Sequence, residues 1–184
     1  MIKIDKSLIN NEVLHALSIK SKKVTFQRNE IVAEAGKTCN YIFFVRKGLL
    51  RSFYYDRKGK DVTNWFASEE MIITAAQSFF KREPSFLGIE AIEDTVVRAI
   101  SYEQLEEMFQ EYHSLERFGR LIMTEIMMAV GKKAVYLQVK SAEERYHELI
   151  KTYPDIFYRA KLGHIAGYLG ITQQSLSRIR ANTT

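Results

Sequence analysis

Polar and basic side chains with recognisable chemistry are concentrated between residues 161 and 180, a stretch that contains no acidic residue. A glutamine can hydrogen-bond adenine through two atoms, and an arginine can bind O6 and N7 of guanine in the same way. Hydroxyl groups, ammonium groups and the free N–H groups of a helix N-terminus suit phosphate oxygens. The stretch therefore predicts contacts with double-stranded DNA through Lys161, Thr172, Gln173, Gln174, Ser175, Ser177, Arg178 and Arg180.

The surrounding residues predict the two helices that must position these side chains. Apolar residues from Leu162 to Leu169 recur at helical spacing and form one stripe. Gly170 follows, where a helix can end in a left-handed residue, and Thr172 can cap the next helix. The inner face of that second helix is formed by Ile171, Leu176 and Ile179. This pattern predicts a helix-turn-helix motif.

Charge is distributed unevenly along the 184 residues. The net charge is +5, and residues 157–184 contain four basic side chains but no acidic one. The rest of the chain holds 23 basic and 22 acidic side chains and is nearly neutral. An ordinary helical hairpin with a solvated polar face is the alternative interpretation, and it predicts a mixture of Lys and Glu. The acid-free face favours a surface that contacts phosphate groups.

The part of the chain from residue 24 to about residue 100 is rich in Val, Ile, Phe, Tyr and Thr. Turn sequences interrupt it at intervals of about 8–12 residues, which is typical of an antiparallel sandwich or barrel. Residues 68–82 predict a helical or irregular insertion. The predicted strands cover residues 24–26, 31–33, 41–45, 49–55, 61–66 and 95–100.

A long helix follows, because apolar residues advance by three or four from about residue 114 to residue 140. At 1.5 Å per residue such a helix is about 40 Å long, and its apolar stripe needs a partner. The repeated spacing favours a second copy of the chain, whereas packing against the chain's own β domain is the alternative. The predicted dimer contacts are Phe118, Ile122, Ile126 and Val130.

Capping residues mark the helices on either side of the long one. Ser101 can cap a helix over residues 102–109, and Ser141 with Glu144 fits a capping box. The helix that begins after Ser141 should end before Pro154. The change of helix direction near residue 140 predicts a domain boundary.

The sequence lacks the residue patterns that are typical of catalytic and metal-binding sites. The single cysteine, Cys39, excludes a disulfide framework and an all-cysteine iron–sulfur cluster, and the four histidines lack metal-ligand spacing. Nucleotide-binding and hydrolase motifs are missing, so we expect no enzyme, no catalytic residues and no metal site. Neither a membrane-spanning run nor an apolar signal segment is present, which predicts a cytoplasmic protein without membrane contacts.

Taken in order, these segments resemble the Crp–Fnr superfamily of bacterial transcription regulators, and more narrowly its short branch from Bacteroidetes-type bacteria. The resemblance is carried by residues 34–37, 41–51, 89–95, 100–102, 142–146 and 153–154, and most specifically by the helix-turn-helix segment at residues 168–180. It implies an α+β fold that begins with an antiparallel β-roll of the cyclic-nucleotide-binding type, a double-stranded β-helix, over residues 1–112. A dimerisation helix over residues 113–140 and a helix-turn-helix DNA-binding domain over residues 141–184 follow.

The resemblance also implies a function. The protein would be a homodimer whose roll senses a signal and whose C-terminal domain reads an inverted-repeat operator, with RNA polymerase as a further partner. Gln173, Gln174 and Arg178 match the base-reading positions of the family. A metabolite-binding or protein-docking module without operator-specific DNA binding is the alternative function.

One departure from the family concerns the effector, which the sequence does not identify. Members that bind cyclic nucleotides hold the cyclic phosphate with an Arg-Ser or Arg-Thr pair, and this pair falls on Ser85 and Phe86 here. Their ribose-binding Gly-Glu-Leu segment falls on residues 74–76, which contain neither glycine nor a carboxylate. Arg82 and Lys81 are the nearby basic residues that could turn inward to take the place of that arginine. We therefore do not expect cyclic AMP as the effector, and we expect neither haem nor an iron–sulfur cluster.

Aromatic residues in the same region predict an apolar pocket. A pocket lined by Phe66, Phe79 and Phe86 would favour an uncharged or amphipathic ligand. The alternative is that these rings belong to the core of the roll and leave no space for a ligand.

Overall fold

The structure is a computed structural model that describes residue 3 and residues 9–183. Within that part of the chain, no helix is both long enough and apolar enough to cross a membrane. The strands are β1 (Lys22–Phe26), β2 (Ile31–Ala33), β3 (Tyr41–Lys47), β4 (Leu50–Tyr55), β5 (Asp61–Ala67), β6 (Ile72–Ile73), β7 (Gly88–Ala91) and β8 (Thr95–Ser101). The helices are α1 (Asn11–Lys20), α2 (Ala76–Lys81), α3 (Tyr102–Glu111), α4 (His113–Val139), α5 (Ala142–Thr152), α6 (Ile156–Arg159), α7 (Leu162–Leu169) and α8 (Gln173–Thr183).

Two four-stranded antiparallel sheets form the β-roll. The strand order is β1-β8-β3-β6 in one sheet and β2-β7-β4-β5 in the other, so strands distant in sequence pair with each other. Apolar side chains from both sheets fill the interior, which is built from Phe43, Val45, Leu50, Ile73, Ile89 and Val97 among others. The predicted α+β fold with an N-terminal antiparallel roll is confirmed.

All six predicted strands are present, and none differs from its prediction by more than two residues at either end. The prediction missed β6 and β7. Strand β6 has only two residues, and β7 begins with Gly88, a residue type that is depleted in strands. A Cβ atom at Gly88 would lie 2.6 Å from Cζ of Phe53, so a larger residue there would force the buried Phe53 ring to move.

The first half of α4 packs within its own chain, against helices α1 and α3. Leu115, Phe118 and Ile122 are buried together with Val13 of α1 and Met108 of α3. This corrects two of the four predicted dimer contacts, because Phe118 and Ile122 are only 5% and 7% exposed within a single chain. The spacing of three and four marked an apolar stripe, but such spacing does not distinguish a core partner from a second copy.

The second half of α4 carries an exposed apolar stripe. Met123, Met127 and Val130 are 43%, 69% and 53% exposed, and Ala134 and Leu137 continue the stripe with more than a third of their surface exposed. Their spacing of 4, 3, 4 and 3 residues is the pattern that faces a partner in a two-stranded coiled coil. The exposed seam thus lies further along the helix than the predicted one and shares Val130 with it.

The C-terminal helices share a core with one face of the roll. The buried side chains of this core include Leu49, Phe66, Tyr146, Leu149, Ile165, Leu169 and Leu176. Helix α7 lies directly on β5, where a Cβ atom at Gly167 would be 2.9 Å from the backbone nitrogen of Thr63. A glycine at position 167 therefore permits the close approach of the helix to the strand.

The predicted apolar pocket is not assembled. Phe66 faces the C-terminal helices, whereas Phe79 packs against α3 with its ring centre 5.6 Å from that of Tyr102. Phe86 lies in a loop and is 66% exposed. The three rings belong to separate elements that face different layers, so the prediction of a shared pocket was wrong.

Candidate nucleic-acid interface

The turn between α7 and α8 is closed by Gly170, whose backbone is left-handed with φ of 69°. The N–H of Gly170 donates to the carbonyl of Gly167 over 3.0 Å, and the N–H of Ile171 donates to the carbonyl of Ala166 over 3.0 Å. These two hydrogen bonds form a Schellman motif. The left-handed residue expected at Gly170 is confirmed.

Thr172 caps α8. Its Oγ1 atom accepts a hydrogen bond from the N–H of Ser175 over 3.1 Å and lies 2.9 Å from the Ser175 hydroxyl oxygen. One of the two hydroxyls therefore donates to the other. A DNA phosphate that accepts a hydrogen bond from either hydroxyl has to compete with this internal hydrogen bond. The helix start also offers backbone N–H groups, which suit a phosphate oxygen.

The outward face of α8 carries most of the predicted DNA contacts. Leu176 is fully buried beneath it, and the exposed side chains are Gln173, Gln174, Ser177, Arg178 and Arg180. Gln173 leans towards α7, because its Oε1 atom is 3.2 Å from where a Cβ atom at Gly163 would lie. This contact brings the start of α7, with the exposed Lys161 just before it, close to the start of α8.

One basic residue of the C-terminal region does not belong to this face. Arg159 at the end of α6 donates to both carboxylate oxygens of Glu69 over 3.0 Å and to Glu93 over 2.6 Å. Both glutamates belong to loops of the roll. The charge of Arg159 is therefore neutralised within the chain, and the basic patch available to DNA is smaller than the sequence predicts.

The pKa values of these groups reflect the ion pairs. Burial opposes the charge of Arg159, but hydrogen bonds to Glu93 and Glu69 outweigh burial and raise the pKa of the guanidinium. Burial likewise opposes ionisation of Glu69, but Arg159 and the backbone N–H of Gly48 hold the pKa of this carboxyl below its usual value. The carboxylate of Glu69 is thus tied to the C-terminal helices.

A second ionic network lies on the roll and was missed by the sequence analysis. Arg51 is only 3% exposed, and it donates to Glu90 over 2.7 Å and to Thr63 over 3.1 Å and pairs with Asp61. Arg51 stands directly opposite Glu90 in the pairing of β4 with β7. Only the strand register reveals this pair, because 39 residues separate the two in sequence.

His164 of α7 lies near this network. Burial, and then the positive charge of Arg51, lower the pKa of its imidazole. Its buried Nδ1 atom has no hydrogen-bond partner within the part of the chain that the structure describes. The histidine is thus a neutral packing residue between the helix-turn-helix and the roll.

The residues at the family's cyclic-nucleotide position do not fit a cyclic phosphate. Ser85 is buried, and its hydroxyl accepts a hydrogen bond from the N–H of Leu87 over 2.9 Å. Arg82 is held by other groups, since it donates to Asn40 over 2.7 Å and to the carbonyl of Cys39 over 3.2 Å. The guanidinium of Arg82 also lies 5.1 Å from the centre of the Tyr102 ring.

The chain is similar in sequence to a known domain family and to several bacterial regulators. The family of cyclic nucleotide-binding domains matches residues 23–112. The chain is 24% identical over 188 residues to the anaerobic regulatory protein of Haemophilus influenzae, an alignment that covers 93% of the chain and 70% of that relative. It is also 24% identical over 180 residues to electron transport regulator A of Shewanella oneidensis, with coverage of 92% and 71%.

Two solved structures share the fold. FixK2 from Bradyrhizobium japonicum superposes with a TM-score of 0.73 at 19% identity, over 88% of this chain and 83% of FixK2. A mutant of CooA from Carboxydothermus hydrogenoformans superposes with a TM-score of 0.72 at 17% identity, over 98% and 84% of the two chains.

Proposed function

Because the chain belongs to the Crp–Fnr superfamily of DNA-binding transcription regulators, we propose that it binds an inverted-repeat DNA site as a homodimer. In this proposal α8 is the recognition helix and enters the major groove. The roll is the sensor domain, and its effector is not a cyclic nucleotide. A cytoplasmic location and RNA polymerase as a further partner belong to the same proposal.

The exposed, acid-free face of α8 is the observation that carries the proposal. Gln174 and Arg178 are four residues apart and lie on the same side of the helix. Residues at this spacing are about 5–6 Å apart, which lies between one and two base steps of about 3.4 Å along one strand. Gln174 and Arg178 are therefore positioned to read neighbouring base pairs, with adenine and guanine as their preferred partners.

The exposed seam of α4 supports the dimer. A contiguous apolar stripe is costly to leave in water, and Met123, Met127, Val130, Ala134 and Leu137 form one that a second copy can cover. A two-fold axis along this seam presents two copies of α8. Their DNA half-sites should then lie about one helical turn apart, roughly 34–36 Å from centre to centre.

Selection from a pool of randomised duplex DNA with the purified protein tests the function. We expect the bound duplexes to converge on an inverted repeat, and we expect affinity for it to fall as the salt concentration rises. Retention without any sequence preference would favour non-specific charge attraction. A lack of retention at low salt would favour the protein-docking alternative over DNA binding.

A further inference from the structure

A cavity of about 190 Å³ lies where the roll, the long helix and the C-terminal helices meet. Its walls come from β5, α4, α5 and α7. Aromatic rings line much of it, together with two lysines, Lys132 and Lys133, and one arginine. The residues that matter here are Trp65, Lys133, Tyr136, Arg145, Tyr153 and Tyr168.

Lys133 is a half-buried cation in this wall. Its ammonium donates to the backbone carbonyl of Asn64 and lies 4.2 Å from the centre of the Tyr168 ring and 5.4 Å from that of Trp65. Among the carboxylates of residues 9–183, none forms a described ion pair with this ammonium, and burial lowers its pKa to about 8. A cation removed from water without a counter-charge is unfavourable, so an anion in the cavity would stabilise it.

The other charged groups of the cavity do not neutralise its positive charge. The Nε atom of Arg145 is buried and has no hydrogen-bond partner within the described part of the chain, although its Nη1 atom donates to the carbonyl of Lys140. Glu148 is the carboxylate of the lining, and it is already paired with Lys140 and Lys132. The cavity thus combines apolar walls with unneutralised positive charge.

We propose that this cavity binds a small aromatic carboxylate, whose ring packs against Trp65 and Tyr168 and whose carboxylate pairs with Lys133. The size is suitable, because an apolar cavity of roughly 150 Å³ is large enough for benzene. About 190 Å³ leaves room for one ring with one carboxylate. A neutral ring of the same shape lacks the ion pair and binds more weakly.

The position of the cavity suggests what a ligand would do. A molecule that contacts Trp65 of β5, Lys133 of α4 and Tyr168 of α7 restrains the three parts of the chain relative to one another. A role in controlling DNA binding rests on the function proposed above, whereas the ligand chemistry does not. The ligand proposal can therefore be tested without DNA, and its failure would leave the proposed DNA-binding function untouched.

Intrinsic fluorescence provides the measurement, because Trp65 is the only tryptophan of the chain. Benzoate and its neutral analogue benzamide are titrated separately into the full-length protein. We expect a saturable change with benzoate and an affinity for benzamide that is weaker by roughly tenfold, the effect of about 1.4 kcal/mol. Equal affinities, or no saturable change with benzoate up to roughly 10 mM, would overturn the proposal.

Two lysines, one inside and one outside the cavity, supply a pair of variants. Lys133→Met should abolish the preference for benzoate over benzamide, whereas Lys151→Met, which changes an exposed lysine of α5 outside the lining, should retain it. Should Lys133→Met not fold, the pH dependence of the wild-type protein serves instead. Between pH 7 and pH 9 the ammonium loses its proton, so the affinity for benzoate should fall while that for benzamide stays constant. A benzoate affinity that does not change over this range would contradict the assignment.

Discussion

The Nη2 atom of Arg159 in the C-terminal region lies 2.6 Å from Oε1 of Glu93, in the loop between β7 and β8 of the roll. The same guanidinium forms two hydrogen bonds with Glu69, in the loop between β5 and β6. Together with the close approach of Gly167 to β5, these bonds hold the helix-turn-helix against the roll. The loops that carry Glu69 and Glu93 are therefore in direct contact with the C-terminal region that carries the proposed DNA-binding face.

Removing this connection should weaken the fold. In Arg159→Gln, two partly buried carboxylates lose their charged donor. We expect a loss of about 1–2 kcal/mol in the free energy of unfolding, towards the low end for charged hydrogen bonds because both carboxylates are partly solvated. Urea unfolding measures it, with Arg57→Gln in the exposed β4–β5 turn as the control. Equal unfolding midpoints for the two variants would show that the ion pairs contribute nothing.

The same contact predicts a pH dependence. The pKa of Glu69 is lowered in the folded protein, so its carboxylate stabilises the fold above its ordinary pKa of 4.5, and this contribution is lost as the pH falls through the lower folded value. The stability difference between the wild-type protein and Arg159→Gln should therefore be full at pH 7 and shrink below about pH 4.5. Urea titrations at a series of pH values test this, and a difference that grows on acidification would have the wrong sign.

Arg178 should determine base preference. If it contacts guanine, Arg178→Ala should cost about 1–3 kcal/mol at the selected site and relax the preference at one position of each half-site. Lys161→Ala should instead weaken binding evenly across sequences and reduce the salt slope by about one. Fluorescence anisotropy with matched and altered duplexes measures both effects. An Arg178→Ala protein that keeps its site affinity would remove this residue from the interface.

Two neighbouring methionines of α4 test the dimer. Met127 belongs to the exposed seam, whereas Met128 is 51% exposed but lies on a different side of the helix. Met127→Asp places a charge in the seam and should convert a dimer into a monomer at micromolar concentration, whereas Met128→Asp should remain dimeric. Sedimentation velocity distinguishes the two species. Dissociation of both variants, or of neither, would place the dimer contact elsewhere.

The sequence predicted those features that are decided within a few residues. The Ser141–Glu144 capping box is present, with the Ser141 hydroxyl accepting from the N–H of Glu144 over 3.2 Å. Ser101 forms the equivalent box with Gln104. The left-handed turn at Gly170 is of the same kind, because a helix end depends on local backbone geometry.

Contacts between residues that are far apart in the chain could not be predicted from the sequence. Arg159 and Glu69 are 90 residues apart, and Arg159 reads in sequence as one more basic residue of the C-terminal region. The burial of Phe118 against α1 and α3 is also a tertiary outcome, since nothing in its spacing tells which partner covers it. The cavity beside Lys133 requires four elements to be in place before it exists.

Cyclic AMP should not bind to this protein. A cyclic phosphate inside the roll needs a cation or a cluster of N–H donors, because an unpaired buried charge costs several kcal/mol. The position of the family's arginine is taken by Ser85, whose hydroxyl accepts from Leu87. The nearby Arg82 donates hydrogen bonds to Asn40 and Cys39, and it would have to give up both to turn inward.

Titration calorimetry with cyclic AMP checks this prediction, and adenosine 5′-monophosphate controls for general nucleotide binding. We expect neither nucleotide to give a saturable heat, because Ser85 carries no positive charge for the phosphate and Arg82 is already bound to Asn40 and Cys39. Binding of cyclic AMP tighter than about 100 μM, or roughly −5.5 kcal/mol, would mean that a phosphate site exists. In that event, loss of binding in Arg82→Gln would identify the cation, and it would show that the hydrogen bonds to Asn40 and Cys39 break when the nucleotide enters.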